Sequence, residues 1–139
     1  MGDDLKDGTG SNAGHVRVHG YAGTAWQQLG ADIDGEAAGD LSGFNVALSS
    51  DGSTVAIGAY LNDGTGSDAG HVRVHGYDGT AWQQLGADID GEAAGDRSGF
   101  SVALSSDGST VAIGADLNDG TGINAGHVRV HGDDGTAPP

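Results

Sequence analysis

Apolar and polar positions alternate along this chain in short runs separated by turn residues. In Gly43–Leu48, Phe44, Val46 and Leu48 fall on one side and Asn45 and Ala47 on the other, the period of two that marks a β-strand. Ser49-Ser50-Asp51-Gly52-Ser53 predicts a tight turn. A second strand follows, Thr54-Val55-Ala56-Ile57-Gly58-Ala59, whose small and β-branched residues suit close packing on both faces. The polar stretch from Asn62 to Gly70 reads as a longer loop. The third strand, His71–His75, places Val72 and Val74 on one face and His71, Arg73 and His75 on the other. Tyr77-Asp78-Gly79-Thr80 turns the chain into a fourth strand, Ala81–Leu85. No helical period interrupts the pattern, which predicts all-β structure.

The whole pattern recurs every 56 residues. Asp7–Asn62 laid on Asp63–Asn118 differs at five places: Asn12/Asp68, Ala22/Asp78, Leu41/Arg97, Asn45/Ser101 and Tyr60/Asp116. A period of this length means a modular array. What one unit does the next does too, so a single asymmetric catalytic centre is not expected, and the chain is read as non-enzymatic. Four antiparallel strands per unit, repeated radially, predict β-propeller blades; an elongated β-solenoid is the alternative. On this reading residues 1–41 hold a partial blade (third and fourth strands, His15–Leu29). Residues 42–97 hold a complete blade and its connection, and residues 98–139 a partial blade (first three strands, Gly99–His131). Propellers close with about four to eight blades. One chain therefore forms an incomplete ring, and the expectation is a fragment of a longer repeat protein or a homo-oligomer.

A family resemblance rests on Gly43-Phe44-Asn45-Val46-Ala47, Val55-Ala56-Ile57-Gly58-Ala59, Asn62-Asp63-Gly64-x-Gly and Ala69-Gly70-His71-Val72-Arg73-Val74. Together these resemble the FG-GAP repeat, the blade of integrin α-chain propellers and related surface proteins. The resemblance implies a propeller, an adhesion role and an extracellular or cell-surface setting. Two departures matter. Tyr60 or Asp116 stands where the family has the proline of its Gly-Ala-Pro. The family's calcium loop, Asp-x-Asp-x-Asp-Gly, reads Ser49-Ser50-Asp51-Gly52-Ser53 here, with one carboxylate, so that calcium site is not carried over.

Charge narrows the partners. Asp and Glu outnumber Lys and Arg by 20 to 5, a formal net charge of −15, which disfavours nucleic acid and anionic membranes. Most of these acids sit in turn-like segments. Cysteine is absent, which excludes disulfides and thiolate metal sites. No apolar run is long enough to cross a bilayer, and Met1–Leu5 is not the start of a signal peptide.

The cation candidate is the acidic connection Asp32-Ile33-Asp34-Gly35-Glu36-Ala37-Ala38-Gly39-Asp40 and its repeat, with Asp88, Asp90, Glu92 and Asp96. Carboxylates at this spacing on a Gly-containing loop can wrap Ca²⁺, which takes about six to eight oxygens. A plain acidic linker is the alternative. The loop Asn118–Gly122, flanked by Asp116 and Asn124, offers oxygens but few charges. His71 and His75 lie about 13 Å apart on one strand and cannot share one ion; with Arg73 they are expected on a polar outer face. Trp26, Trp82, Asp63, Asp68 and Asp119 are candidate contacts to a protein or glycan partner. No nucleophile–base motif and no phosphate-cradling loop is present.

Overall fold

The computed structural model describes residues 2–3, 10–64, 66–118 and 126–132. These form only strands and turns: β1 (Gly2–Asp3), β2 (His15–Val16), β3 (His19–Tyr21), β4 (Trp26–Gln28), β5 (Ile33–Asp34), β6 (Asn45–Leu48), β7 (Thr54–Ala59), β8 (His71–Tyr77), β9 (Trp82–Gln84), β10 (Ile89–Asp90), β11 (Ser98–Leu104), β12 (Thr110–Ala115) and β13 (His127–Gly132). The largest sheet carries the order β10-β8-β7-β6, with β9 also paired to β8. β6 to β9 make the expected four-stranded antiparallel meander. Smaller antiparallel sheets hold β11-β12-β13, β1-β2-β5 and β3-β4, and none of the sheets closes on itself.

Register repeats with the sequence. Gly58 pairs with Val72 and Ala59 with His71 in the large sheet; 56 residues earlier Gly2 pairs with Val16 and Asp3 with His15. β1 is thus the end of a second strand, an element beyond the third and fourth strands expected in residues 1–41. β10 is a second addition. The segment expected to be a linker pairs Ile89 with Val72 and Asp90 with His71, and β5 does the same with β2. β8 is long enough to hold β10 along its first half and β9 along its second.

The core lies between successive units rather than within one sheet. Val16, Val18 and Ile33 pack against Val55 and Ile57, with Leu29 and Trp82 at the margin. One period later Ala56 and Val72 pack against Val111 and Ile113, bordered by Val74, Ile89, Val102 and Leu104. Residues Val55–Ala59 of β7 are all buried, because β7 is covered on both faces, as its small side chains predict. The chain between units is sewn down by backbone hydrogen bonds from Gly95, Arg97 and Ser98 to the carbonyls of Ser67, Asp68 and Ala69. The Gly70–Ser98 bridge completes that seam, and Gly14–Ser42 repeats it.

The five differences between units fall at positions with a local physical role. Asn12 and Asp68 both hold φ near +56°, at 56° and 55°, where these two side chains are the tolerated ones. Asp78 accepts hydrogen bonds from the backbone N–H of Thr80 and Ala81, which Ala22 cannot. Asn45 donates across the junction to the Phe100 carbonyl at 3.3 Å. Leu41/Arg97 and Tyr60/Asp116 change together: Arg97 pairs with Asp116 at 2.9 Å and lies over the rings of Tyr60 and Phe100.

Candidate metal centre

The Ser49–Ser53 turn, where no calcium site is expected, is a self-contained cap. Asp51 accepts from the Ser53 N–H, the Ser53 hydroxyl and the Ser49 hydroxyl, and Asp107 repeats the arrangement. Its single carboxylate is spent on the turn itself.

The acidic connection behaves differently. Ile33 and Ile89 point into the cores between units, so on these short strands the acids on either side share the opposite face. Asp32 and Asp34 lie beside His15. Glu36 and Asp40 instead lie beside His71 of the next unit. Asp88 and Asp90 approach the same His71 from its own unit. The four carboxylates of one connection are therefore divided between two histidines. Around His71 the Nδ1 atom is 3.5 Å from Glu36, 3.6 Å from Asp88 and 3.9 Å from Asp90. One period later Glu92 lies 3.5 Å from His127.

Asp40 and Asp96 have a more local task. Each is buried and accepts a 2.7 Å hydrogen bond from the amide of Asn62 or Asn118. Burial raises the Asp40 carboxyl, while the Asn62 hydrogen bond opposes that rise. Arg73 reaches back to the Asp34 carbonyl at 2.8 Å and Arg129 to the Asp90 carbonyl at 2.7 Å. These links join each third strand to the preceding connection.

The expected polar outer face of β8 is corrected by this packing. His71, Arg73 and His75 are buried, because the connections on either side fold over them. Burial pulls both imidazoles down to about 4, with Arg73 acting in the same direction and Asp88 opposing. Burial, helped by the hydrogen bond and charge of Asp88, pushes Glu36 up to about 7. Burial would raise Asp88 too, but hydrogen bonds from Gln84 and Glu36, with His71 and Arg73 nearby, hold it below the usual carboxylate range.

A pH dependence follows. The unfolded histidines take up protons near their ordinary 6.5, which the folded ones resist until about 4. The stability they contribute at neutral pH is lost as the pH falls between those values. Glu36 acts the other way: its contribution is present below its ordinary 4.5 and is lost as the pH rises through about 7. Two buried histidines outweigh one half-exposed glutamate. In metal-free buffer the melting temperature is expected to be several degrees lower at pH 5 than at pH 7; a flat or inverted profile would contradict buried neutral imidazoles.

The two tryptophans part company. Trp82 donates its indole N–H to the Leu29 carbonyl at 2.7 Å and packs on the core between units. Trp26 is 69% exposed and leans on Tyr21. Trp82→Ala is expected to cost about 2–3 kcal/mol, and Trp26→Ala less than about 0.5 kcal/mol. Equal losses in urea denaturation would remove Trp82 from the junction. Asp63 and Asp68 are exposed, with Asp63 accepting from the Asp68 N–H at 2.8 Å. Asp119 lies outside the described residues, as do Gly120–Gly122 and Asn124.

The histidine–carboxylate cluster escapes a reading by spacing because its members are far apart in sequence and meet only when units stack. The available signal is the Asp-Ile-Asp alternation, which marks a short strand with both acids on one face. No protein-family model matches the chain, and the search of curated proteins finds no match.

Proposed function

We propose that this chain is a non-enzymatic, propeller-type repeat module, similar to FG-GAP repeats, that works by stacking units of its own kind. One observation supports this best. The same junction is built twice in the chain, and residues equivalent to its two halves are uncovered elsewhere. Val72 is buried by the following unit, whereas its counterpart Val128 is 67% exposed, with Val130 beside it. Val102 and Leu104 pack against the preceding unit, whereas Val46 and Leu48, one period earlier, are exposed. Apolar faces of this kind favour association.

On this reading the covering unit is supplied by a second copy of the chain. β11–β13 of one copy then dock on the Val46–Leu48 edge of the other. Full docking displaces β2 and β3, which offer the same valines, Val16 and Val18, with fewer strands behind them. Light scattering across a concentration series tests this. Concentration-dependent association, abolished by Val128→Asp with Val130→Asp, is expected; a monomer at every concentration would sink the reading.

Such an array displays an acidic surface, with Asp63 and Asp68 exposed on the 62–70 loop. That surface suits a basic patch on a protein partner, or a glycan reached through Trp26. Glycan-array and pull-down binding that weakens with Asp63→Asn or Trp26→Ala is the corresponding test.

A further inference from the structure

We propose that His71, Glu36, Asp88 and Asp90 form a binding site for a divalent transition metal of the zinc class, placed between consecutive units. Three observations carry this. The first is the histidine. His71 is 1% exposed, and its Nδ1 has no hydrogen-bond partner among the described residues. A buried polar atom left in that state is costly unless something else satisfies it. It is aimed into a group of carboxylates.

The second is distance. The 3.5, 3.6 and 3.9 Å separations from Nδ1 to the three carboxylates are too long for hydrogen bonds. The two shorter ones fit atoms that share a metal, and the half-exposed Asp90 carboxylate has to move in by a few tenths of an ångström to join them. Zinc bonds of about 2.0–2.2 Å at tetrahedral angles put neighbouring ligand atoms roughly 3.3–3.6 Å apart. The third is charge. Glu36 and Asp88 approach each other closely enough for one to hydrogen-bond to the other, so without a proton or a cation between them two like charges would meet. A cation removes that conflict, and Glu36, Asp88 and Asp90 are open enough to solvent to admit one.

Ligand chemistry selects the metal. The imidazole nitrogen is what favours zinc and its neighbours, since calcium takes oxygen ligands throughout. The repeat also sets the number of sites. Only His71 has a described connection on both sides. His15 has Asp32 and Asp34 but no described counterpart of Glu36, and His127 has Glu92 alone. Among the described residues one site is therefore complete, and its four protein ligands leave no open coordination position. It is built from residues of one chain, and its test is made at a protein concentration too low for copies to associate.

The test uses the full chain, stripped with chelator and dialysed, at pH 7.5. Titration calorimetry with Zn²⁺ is expected to show one tight equivalent, and zinc to raise the melting temperature. Co²⁺ is expected to give the visible absorption of a tetrahedral N/O site. Because His71→Asn removes a buried side chain and can fail to fold, Glu36→Gln and Asp90→Asn, both half-exposed, are the decisive variants. Each is expected to weaken zinc at least tenfold, whereas Asp78→Ala, which puts in the residue of the equivalent position Ala22, leaves it unchanged. No tight zinc binding by the native chain would overturn the proposal. Unchanged affinity in Glu36→Gln and Asp90→Asn, or Ca²⁺ binding as tightly as Zn²⁺, would overturn it too.

Discussion

Gly70→Ala is expected to be among the most damaging single-methyl changes in this chain. Gly70 sits at φ 79°, and a side-chain carbon there would run into the Ser98 backbone. The left-handed conformation alone costs an alanine about 1–2 kcal/mol. The collision is worse, because Gly70 and Ser98 form the bridge that joins one unit to the next, and neither backbone can yield without opening the seam. A total loss above about 3 kcal/mol is expected. Gly95→Ala is the matched control. Its φ is 80°, but an added carbon meets nothing within 4 Å, so only the conformational cost of about 1–2 kcal/mol remains. Urea denaturation of the two variants measures the difference; equal losses would mean that the close approach at Gly70 does not hold.

Asn62→Ala is expected to cost about 3 kcal/mol, since it strands a buried carboxylate. Asp40 loses its 2.7 Å donor, and the Gly64 N–H loses its 2.8 Å acceptor on the same side chain. The signature is in the pH dependence. Asp40 is already raised by burial, and the Asn62 hydrogen bond works against that rise. Without it the folded carboxyl titrates higher still. Stability is then retained at low pH, where the group is protonated in both states, and is lost as the pH rises through the folded value. The deficit of the variant is therefore expected to be smaller at pH 5 than at pH 8. A deficit that does not change with pH would show that Asp40 is not the group left unpaired. Asn118→Ala is likewise expected to destabilise, because the buried Asp96 loses its 2.7 Å donor.

The strands were legible because alternation survives in residues such as Val72 and Val74, and because Asp51 and Asp78 mark turns by a local mechanism. β10 was not, since two paired residues flanked by acids make too short a run to stand out from a linker. The same limit hid the histidine–carboxylate cluster. Glu36 and His71 are separated by most of a unit, and their approach depends on how one sheet rests on the next. The burial of His75 and Arg73 has the same origin. A strand's polar face reads as solvent-facing in sequence, and only the stacking of units reveals that it is covered.

The near-identity of the two units bears on how the chain reaches this state. β8 and β13 share the sequence His-Val-Arg-Val-His-Gly, and β7 and β12 share Thr-Val-Ala-Ile-Gly-Ala. β6 and β11 share Val-Ala-Leu as well, so β7 can pair with β11 in the register it keeps with β6, and β12 with β6. During folding such crossed pairings are nearly degenerate with the native ones, a known hazard of repeat proteins. The paired change at Leu41/Arg97 and Tyr60/Asp116 breaks the degeneracy. A crossed chain sets Arg97 beside Tyr60 without its carboxylate and leaves Asp116 next to Leu41. The 2.9 Å pair between Arg97 and Asp116 then serves as a proofreading contact: Arg97→Leu with Asp116→Tyr, which makes the units still more alike, is expected to refold more slowly and to aggregate more.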